Sequence, residues 1–450
     1  MTVQTSRHNR SLMEGLRSQL DIDRVGDEMY SLIAELYPIC RSITGEGVRQ
    51  TLRRLREDIP LEIREVPSGT RVFDWTVPKE WNIRDAFIKD STGKRVVDFN
   101  ASNLHVVSYS TPVRERLTLA ELQGHLCSLP DRPDWIPYRT SYYDETWGFC
   151  LADAQRRTLE DGEYEVCIDA SLEPGFLTYG ELLIPGRRTE EVLISTHICH
   201  PSLCNDNLSG IAVCTHLAKT LAAASREYSY RFLFIPGTIG SITWLALNED
   251  RLHLIRHGLV AVGLGDRGAL TYKKSRRGDA EIDRVISHVL KSSGQPFQVV
   301  EFAPYGYDER QYCSPGINLP VGVLSRTPHG KYPEYHTSAD GLDFVKQDAL
   351  ADSLLACLSV VDILDRNRIY LNTAPKGEPQ LGRRGLYRAT GGAADPGSLQ
   401  MAMLWVLNLS DGRHSLLDIA ERANLSFGPV REAAQILAAH DLLADATYGV

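Results

Sequence analysis

No stretch of this chain approaches the run of about 20 apolar residues that a membrane-crossing helix needs. The opening residues, Met1 to Arg10, are polar and carry no hydrophobic centre of the secretory kind. Positive charge is in deficit: 49 lysines and arginines face 58 acids, for a formal net charge of −9. That balance disfavours a surface built to coat nucleic acid and leaves only a local basic patch as a route to it. A disulfide framework is also missing. The nine cysteines (Cys40, Cys127, Cys150, Cys167, Cys199, Cys204, Cys214, Cys313 and Cys357) are odd in number and follow no framework spacing. They read as reduced, mostly buried thiols of a cytoplasmic protein. Internal repeats and low-complexity tracts are absent as well.

What the chain does have is core-forming material. Its 450 residues suit two or three domains, and 43% hydrophobic against 24% charged residues is a globular balance. From Asp27 to Leu55 the pattern is helical: Met29, Leu32, Ile33 and Leu36 make one face, and Val48, Leu52 and Leu55 follow a turn at Thr44–Gly47. Leu61 to Val66 alternates like a strand. Between Phe73 and Ile168, tryptophans, prolines and short runs such as Leu104–Tyr109 and Tyr164–Ile168 predict a compact, mostly β insertion.

From Gly180 onward, strand and helix alternate. Glu191–Thr196, Tyr230–Ile235, Gly258–Gly265 and Leu319–Leu324 read as strands, and Ser209–Ala224, Ser241–Leu247 and Glu281–Ser292 as helices. This predicts an α/β fold, a sheet flanked by helices, with polar residues of interest beyond the strand ends. Leu371–Pro396 is rich in Gly, Pro and Ala and reads as a linker. Beyond it, Leu416–Ala423 and Val430–Ala439 belong to a small winged-helix-like module. The expected division is 24–72 with 170–370, an inserted β-rich domain over 73–169, and the module over 385–450.

The segment from Thr196 to Gly210 follows a strand and precedes a helix, and it contains His197 and Asp206. Asp266 ends another strand, and His336 follows the last one. Imidazole and carboxylate are the ligand types that zinc favours, so these four can meet in one cleft. Each also has a plainer reading as a capping or surface group. His197, Cys199, His200 and Cys204 could form their own zinc knot, though their spacing lacks the usual pairing. Asp340 and Thr337 could simply cap a helix. We expect Cys199, His200 and Cys204 outside the ligand set, because two thiolates would close the site against water.

Longer motifs carry a resemblance. Tyr37–Gly45, Tyr138–Tyr143, Trp147–Cys150, Glu181–Gly186, His197–Gly210, Asp308–Gly316 and Tyr332–Asp340 resemble a bacterial group of aminopeptidase-like proteins associated with polysaccharide or natural-product biosynthesis. The likeness spans nearly the whole chain. That group in turn is similar to the zinc exopeptidases with a two-metal site. The resemblance implies a zinc-exopeptidase-like mixed sheet, with His197 on one zinc, Asp206 bridging, Asp266 completing the first site and His336 on the second. Two departures stand out. Cys199 occupies the place where the wider clan has an Asp that positions the first imidazole. Gly237, within Phe234–Ser241, stands where relatives carry a glutamate. Losing a general base costs about 10²–10⁴-fold in rate. Glu309 is the candidate replacement; its plainer reading is a salt bridge to an arginine.

The expectation is therefore a cytoplasmic zinc-dependent hydrolase of a peptide or amino-acyl amide, holding one tight zinc and a weaker second. The competing reading is a metal-binding relative without turnover. A regulator that binds DNA through the C-terminal module is disfavoured, since Val430–His440 offers only Arg431 and His440 as basic groups. No nucleic acid or membrane partner is expected, and a homo-oligomer is possible.

Overall fold

A computed structural model describes residues 21–386 and 398–446. The polar N-terminus Met1–Arg10 and residues 387–396 of the expected linker lie outside them. The described chain divides into two compact units: residues up to 280 with 298–355, and residues 281–297 with those from 356 onward. Among the described residues no helix is long and apolar enough to cross a membrane.

The first unit begins with helices α1 (Ile22–Leu36) and α2 (Glu46–Asp58) and strand β1 (Glu62–Pro67). Strands β2 (Glu80–Lys89), β3 (Arg95–Asp98), β4 (Val113–Thr118), β5 (Leu126–Cys127), β6 (Phe149–Cys150) and β7 (Glu163–Glu173) follow. The α/β portion then runs through β8 (Phe176–Ile184), β9 (Glu191–His197), α3 (Ser209–Ala222), β10 (Ser229–Ile235), α4 (Ile239–Leu247), β11 (Ile255–Ala261) and β12 (Leu270–Lys273). The principal sheet is completed by β13 (Phe297–Val300) and β14 (Val321–Ser325), in the order β1-β8-β10-β9-β11-β14-β12-β13.

Strands β10, β9, β11 and β14 are parallel and central, while β1, β8 and β12 pair antiparallel. Parallel strands buried on both faces read as unbroken apolar runs, and every residue of β9 and β10 is buried. This explains why Val192–Ile194 and Phe232–Ile235 were legible as strands without alternation. Helix α3 lies against β8, β9 and β10, and α1 and α2 pack on α3.

The predicted insertion is a four-stranded antiparallel sheet, β3-β2-β7-β4, plus the short parallel pair β5 and β6. Leu104–Tyr109, read as a β-like run, is instead a short 3₁₀ turn followed by isolated bridges. The insertion has no core of its own. Trp81, Ile88, Phe149 and Val166 belong to the same buried cluster as Leu193, Leu233 and Val260 of the large sheet. Shared burial of this kind makes the two parts one folding unit.

One buried polar group breaks the apolar interior of the sheet. Arg231 of β10 reaches Glu191 of β9 through Nε at 2.5 Å and Nη2 at 2.7 Å, and Glu181 of β8 through Nη1 at 2.5 Å. Trp244 of α4 donates its indole N–H to Glu181 at 3.1 Å. Burial works against the Arg231 charge, yet the two carboxylates hold its pKa above the usual value.

The second unit contains α5 (Glu281–Ser292), the later part of α6 (Gln347–Arg366), and a module of α7 (Ser398–Leu409), α8 (Leu416–Ala423) and α9 (Phe427–Ala439). Its three-stranded sheet joins β15 (Ile369–Asn372) to β16 (Asp411–Ser415) and β17 (Leu443–Asp445). The first of these strands begins before the expected linker and runs into its first two residues, so the module begins earlier than the expected 385. A capping box at Ser415 and Asp418 starts α8.

Candidate metal centre

His197 is the last residue of β9, opposite Ile235 of β10. The chain then loops back, makes a single wide turn at Cys204–Leu208 and enters α3. Gly210 lets this happen. A Cβ there would meet Asn207 Oδ1 at 2.4 Å, Ala261 O at 2.6 Å and Thr196 Oγ1 at 2.7 Å, so only glycine allows the helix start to approach the strand ends this closely. Asn207 ties the turn to β9 through Thr196 Oγ1 (2.7 Å) and His197 O (3.0 Å). Asp340 clamps it from the other side. Its two oxygens accept from the backbone N–H groups of Asn205 (2.6 Å) and Asp206 (2.9 Å). Asp340 is thus a cap, as the plainer reading had it, but of this turn.

These constraints aim the Asp206 carboxylate at two imidazoles. His197 Nε2 lies 2.9 Å from Oδ1 and His336 Nε2 lies 2.9 Å from Oδ2. A third ring belongs to the group: His200 Nδ1 is 3.7 Å from Asp206 Oδ1, and the possible ligand atoms of His197, His200 and Asp206 all lie within 4.8 Å of one another. This differs from the expectation that set His200 aside. Its Nδ1 is buried without a hydrogen-bond partner, while buried Arg41 fixes the backbone behind it by donating Nε–H to His200 O at 2.8 Å. Burial pushes the His200 imidazole down to about 3, so the ring is neutral. Burial alone would lift Asp206, but the surrounding imidazoles outweigh it and hold the carboxylate well below the usual range. Imidazoles around an ionised carboxylate form a donor set of the zinc type.

Tyrosines wall the rings. Tyr307 stacks on His197 with centroids 5.6 Å apart, Tyr335 stacks on His336 at 3.9 Å, and Tyr138 meets both His200 and His336 edge-on at 5.2 and 5.0 Å. Tyr138 comes from the insertion, where residues 136–138 form a strip of antiparallel backbone pairing with the His336 loop. Tyr138 N–H donates to His336 O at 2.8 Å, Ser338 N–H donates to Ile136 O at 2.8 Å, and Pro137 bridges Thr337. The insertion thus holds one of the imidazoles in place. A cleft of about 700 Å³ opens on His336 between Leu129–Arg139 and Pro333–Thr337.

Asp266 does not join the group. The strand before it ends at Ala261, and its carboxylate is taken up by the loop. Oδ1 accepts from Gly268 N–H at 2.6 Å and Thr327 Oγ1 at 2.7 Å, while Oδ2 accepts from Asn205 Nδ2 at 2.9 Å and Thr327 N–H at 3.2 Å. Four donors occupy most of the acceptor capacity of one carboxylate. Cys199 and Cys204 are buried thiols, and burial pushes Cys199 up to about 12. Gly237 faces the site. A Cβ there would touch Cys199 Sγ at 3.4 Å and His197 Cβ at 3.7 Å, both ordinary contacts, and its backbone is outside the left-handed region.

Glu309 is fully buried and ion-paired with Lys273, a lysine where an arginine was expected. Its neighbour Asp308 is the residue the sequence reading passed over. Asp308 Oδ1 accepts from Thr238 N–H at 2.6 Å and Ser241 Oγ at 3.1 Å, which sets it directly beside the Gly237 loop. Burial pushes its pKa up, and the nearby His197 opposes that shift. Thr238 has φ 63°, a left-handed conformation rare for a β-branched residue.

A family model described as a domain of unknown function, DUF4910, matches residues 30–367. The chain belongs to this family. A winged helix-turn-helix model matches residues 368–445 of the same DUF4910 chain. A protein of Clostridium acetobutylicum is 54% identical over 418 residues, 93% of this chain and 96% of its own length. Its name assigns it provisionally to polysaccharide biosynthesis, with an aminopeptidase-like domain. A crystal structure from that organism, described provisionally as a peptidase, superposes with a TM-score of 0.92 at 52% identity, covering 96% of this DUF4910 chain and 100% of its own. The zinc aminopeptidase of Bacillus subtilis gives a TM-score of 0.54 at 11% identity over 75% of this chain and 94% of that one. The fold is therefore aminopeptidase-like, with a C-terminal winged helix, in agreement with the resemblance drawn from the motifs.

Proposed function

We propose that the protein is a zinc-dependent hydrolase of an amide bond, aminopeptidase-like in its chemistry. The observation that carries this reading is the convergence of His197, His336 and the partnerless His200 nitrogen on the buried Asp206 carboxylate. These residues fit a zinc ion, with His197, Asp206 and His336 as its holders and His200 as the further donor. When bound, zinc supplies Lewis acidity that polarises a carbonyl and acidifies water. Asp266 acts through Asn205, orienting the turn that presents Asp206. The name of the Clostridium relative supports a substrate drawn from polysaccharide or related small-metabolite synthesis, and the cleft beside His336 is the place for it.

The residues of the chain supply the proton handling. In this reading Asp308, held at Oδ1 by Thr238 and Ser241, accepts the proton of the attacking water at Oδ2 and returns it to the leaving nitrogen. A carboxylate lifted toward neutrality by burial suits that exchange. The test is metal analysis together with hydrolysis of amino-acyl and N-acyl amino-sugar amides. Asp308→Asn is expected to lower kcat about 10²–10⁴-fold while leaving the zinc content unchanged. An Asn variant as active as the parent would remove Asp308 from the role.

One observation favours the competing reading of a metal binder without turnover: Gly237 presents no carboxylate to the site it faces. Since a Cβ is accommodated there, Gly237→Ala is expected to change stability by no more than about 1 kcal/mol. Gly237→Glu should tighten zinc binding or raise hydrolysis relative to that control. Equal zinc affinity and equal activity in both variants would show that position 237 is not the missing glutamate. We read the winged helix as a packing element, a reading supported by Arg431 of α9, which is buried against Asp362 at 2.7 Å.

A further inference from the structure

Two of the nine cysteines form a pair away from the imidazole cluster. Cys127 of β5 and Cys150 of β6 are direct register partners in a parallel ladder. Neighbours in such a ladder sit about 4.8 Å apart, inside the Cα separation of about 4.4–6.8 Å that a disulfide spans. Each thiol lies close enough to shift the proton affinity of the other. Cys150 is buried and Cys127 half-buried, so the pair has one partly exposed residue and one behind it.

We infer that Cys127 and Cys150 form a thiol–disulfide exchange site for small disulfides of the glutathione class, set behind the wall of the cleft. Three observations support it. Cys150 beside it, against the opposing effect of burial and with Arg139 and Arg156 nearby, brings Cys127 down to about 6. The neighbouring Cys127, together with burial, keeps Cys150 protonated. An accessible thiolate beside a buried resolving thiol is the arrangement exchange requires. The position also matters: Arg139, whose charge and backbone act on the Cys150 thiol, and Leu129, two residues beyond Cys127, both line the cleft that opens on His336.

The step balances as follows. The Cys127 thiolate attacks one sulfur of the small disulfide and forms a mixed disulfide, and the other half leaves as a thiolate. Cys150 then gives up its proton and attacks Cys127 Sγ, displacing the second half. Two electrons pass from the protein to the small disulfide, which ends as two thiols, and the chain gains one S–S bond.

The test uses the full reduced chain. Cys40 is the internal control, since it is also half-buried but burial pushes its thiol up to about 12. Iodoacetamide at pH 7 is expected to label Cys127 at least about 10-fold faster than Cys40. After incubation with oxidised glutathione, peptide mapping should find Cys127 linked to Cys150. In Cys150→Ser the reaction should stop with glutathione on Cys127. Equal labelling of Cys40 and Cys127, or wild-type protein that ends without the 127–150 link, would overturn the proposal.

Discussion

Asp206→Ala is expected to abolish zinc binding and, with it, any amide hydrolysis. The carboxylate is the one group to which His197 and His336 are both hydrogen-bonded, and it carries the only negative charge in the group formed with His197 and His200 among the described residues. Loss of a residue that merely supports a metal ligand costs about 10–100-fold in affinity, so loss of this one should cost at least about 100-fold. Stability gives an independent readout. A ligand present at about 1,000 times its Kd stabilises the folded state by about 4 kcal/mol, so the parent should melt at a higher temperature with added zinc. The variant should show no such rise. Its melting in chelator should remain close to that of the parent, because Asp340 still clamps the backbone of the turn. A variant that retained full zinc stoichiometry would place the ion elsewhere.

Arg231→Met is expected to be the most damaging single change away from the site. The guanidinium lies between Glu181 and Glu191 and links three strands of the sheet. Removing it leaves two buried carboxylates facing each other. Arg64 and Arg251 approach them only to 3.6 Å, from exposed positions. Breaking a buried ion pair from one side costs about 3–5 kcal/mol. Urea denaturation followed by circular dichroism should report that loss. Adding Glu181→Gln and Glu191→Gln should recover part of it, since neutral amides cost less to bury than unpaired charges. A single variant within about 0.5 kcal/mol of the parent would refute the assignment.

The sheet was legible because its central strands are apolar throughout and end in polar residues, a pattern that local sequence carries by itself. His197 and Asp206 could be read for the same reason: one ends such a strand, and the other sits in the turn before the helix. His200 was set aside because it shares a short span with two cysteines, and sequence does not tell which of these side chains turn inward. Asp308 and Glu309 pose the same difficulty at closer range. Adjacent residues point in different directions, so one faces Thr238 and the other Lys273, and only the backbone path decides between them. Asp266 misled through position. It sits in the loop after a strand, where ligands gather, but Thr327 and Asn205 engage its oxygens from segments that no local pattern connects. The role of the insertion was illegible because the pairing of residues 136–138 with the His336 loop spans 202 positions.

That strip of pairing has a consequence for how the protein matures. Contacts between distant segments require loop closure before they return any stability, and chains rich in them fold slowly. The helix-side half of the cluster, His197 to Asp206, can form from local sequence as soon as β9 and α3 are in place. His336 is held at its station by the segment around Tyr138, which pairs with the loop around Ser338. The imidazole supplied by that loop depends on a contact that local sequence does not supply, and without that contact the chain holds half of a cage. On the proposed zinc reading, full affinity for the ion would mark the finished molecule.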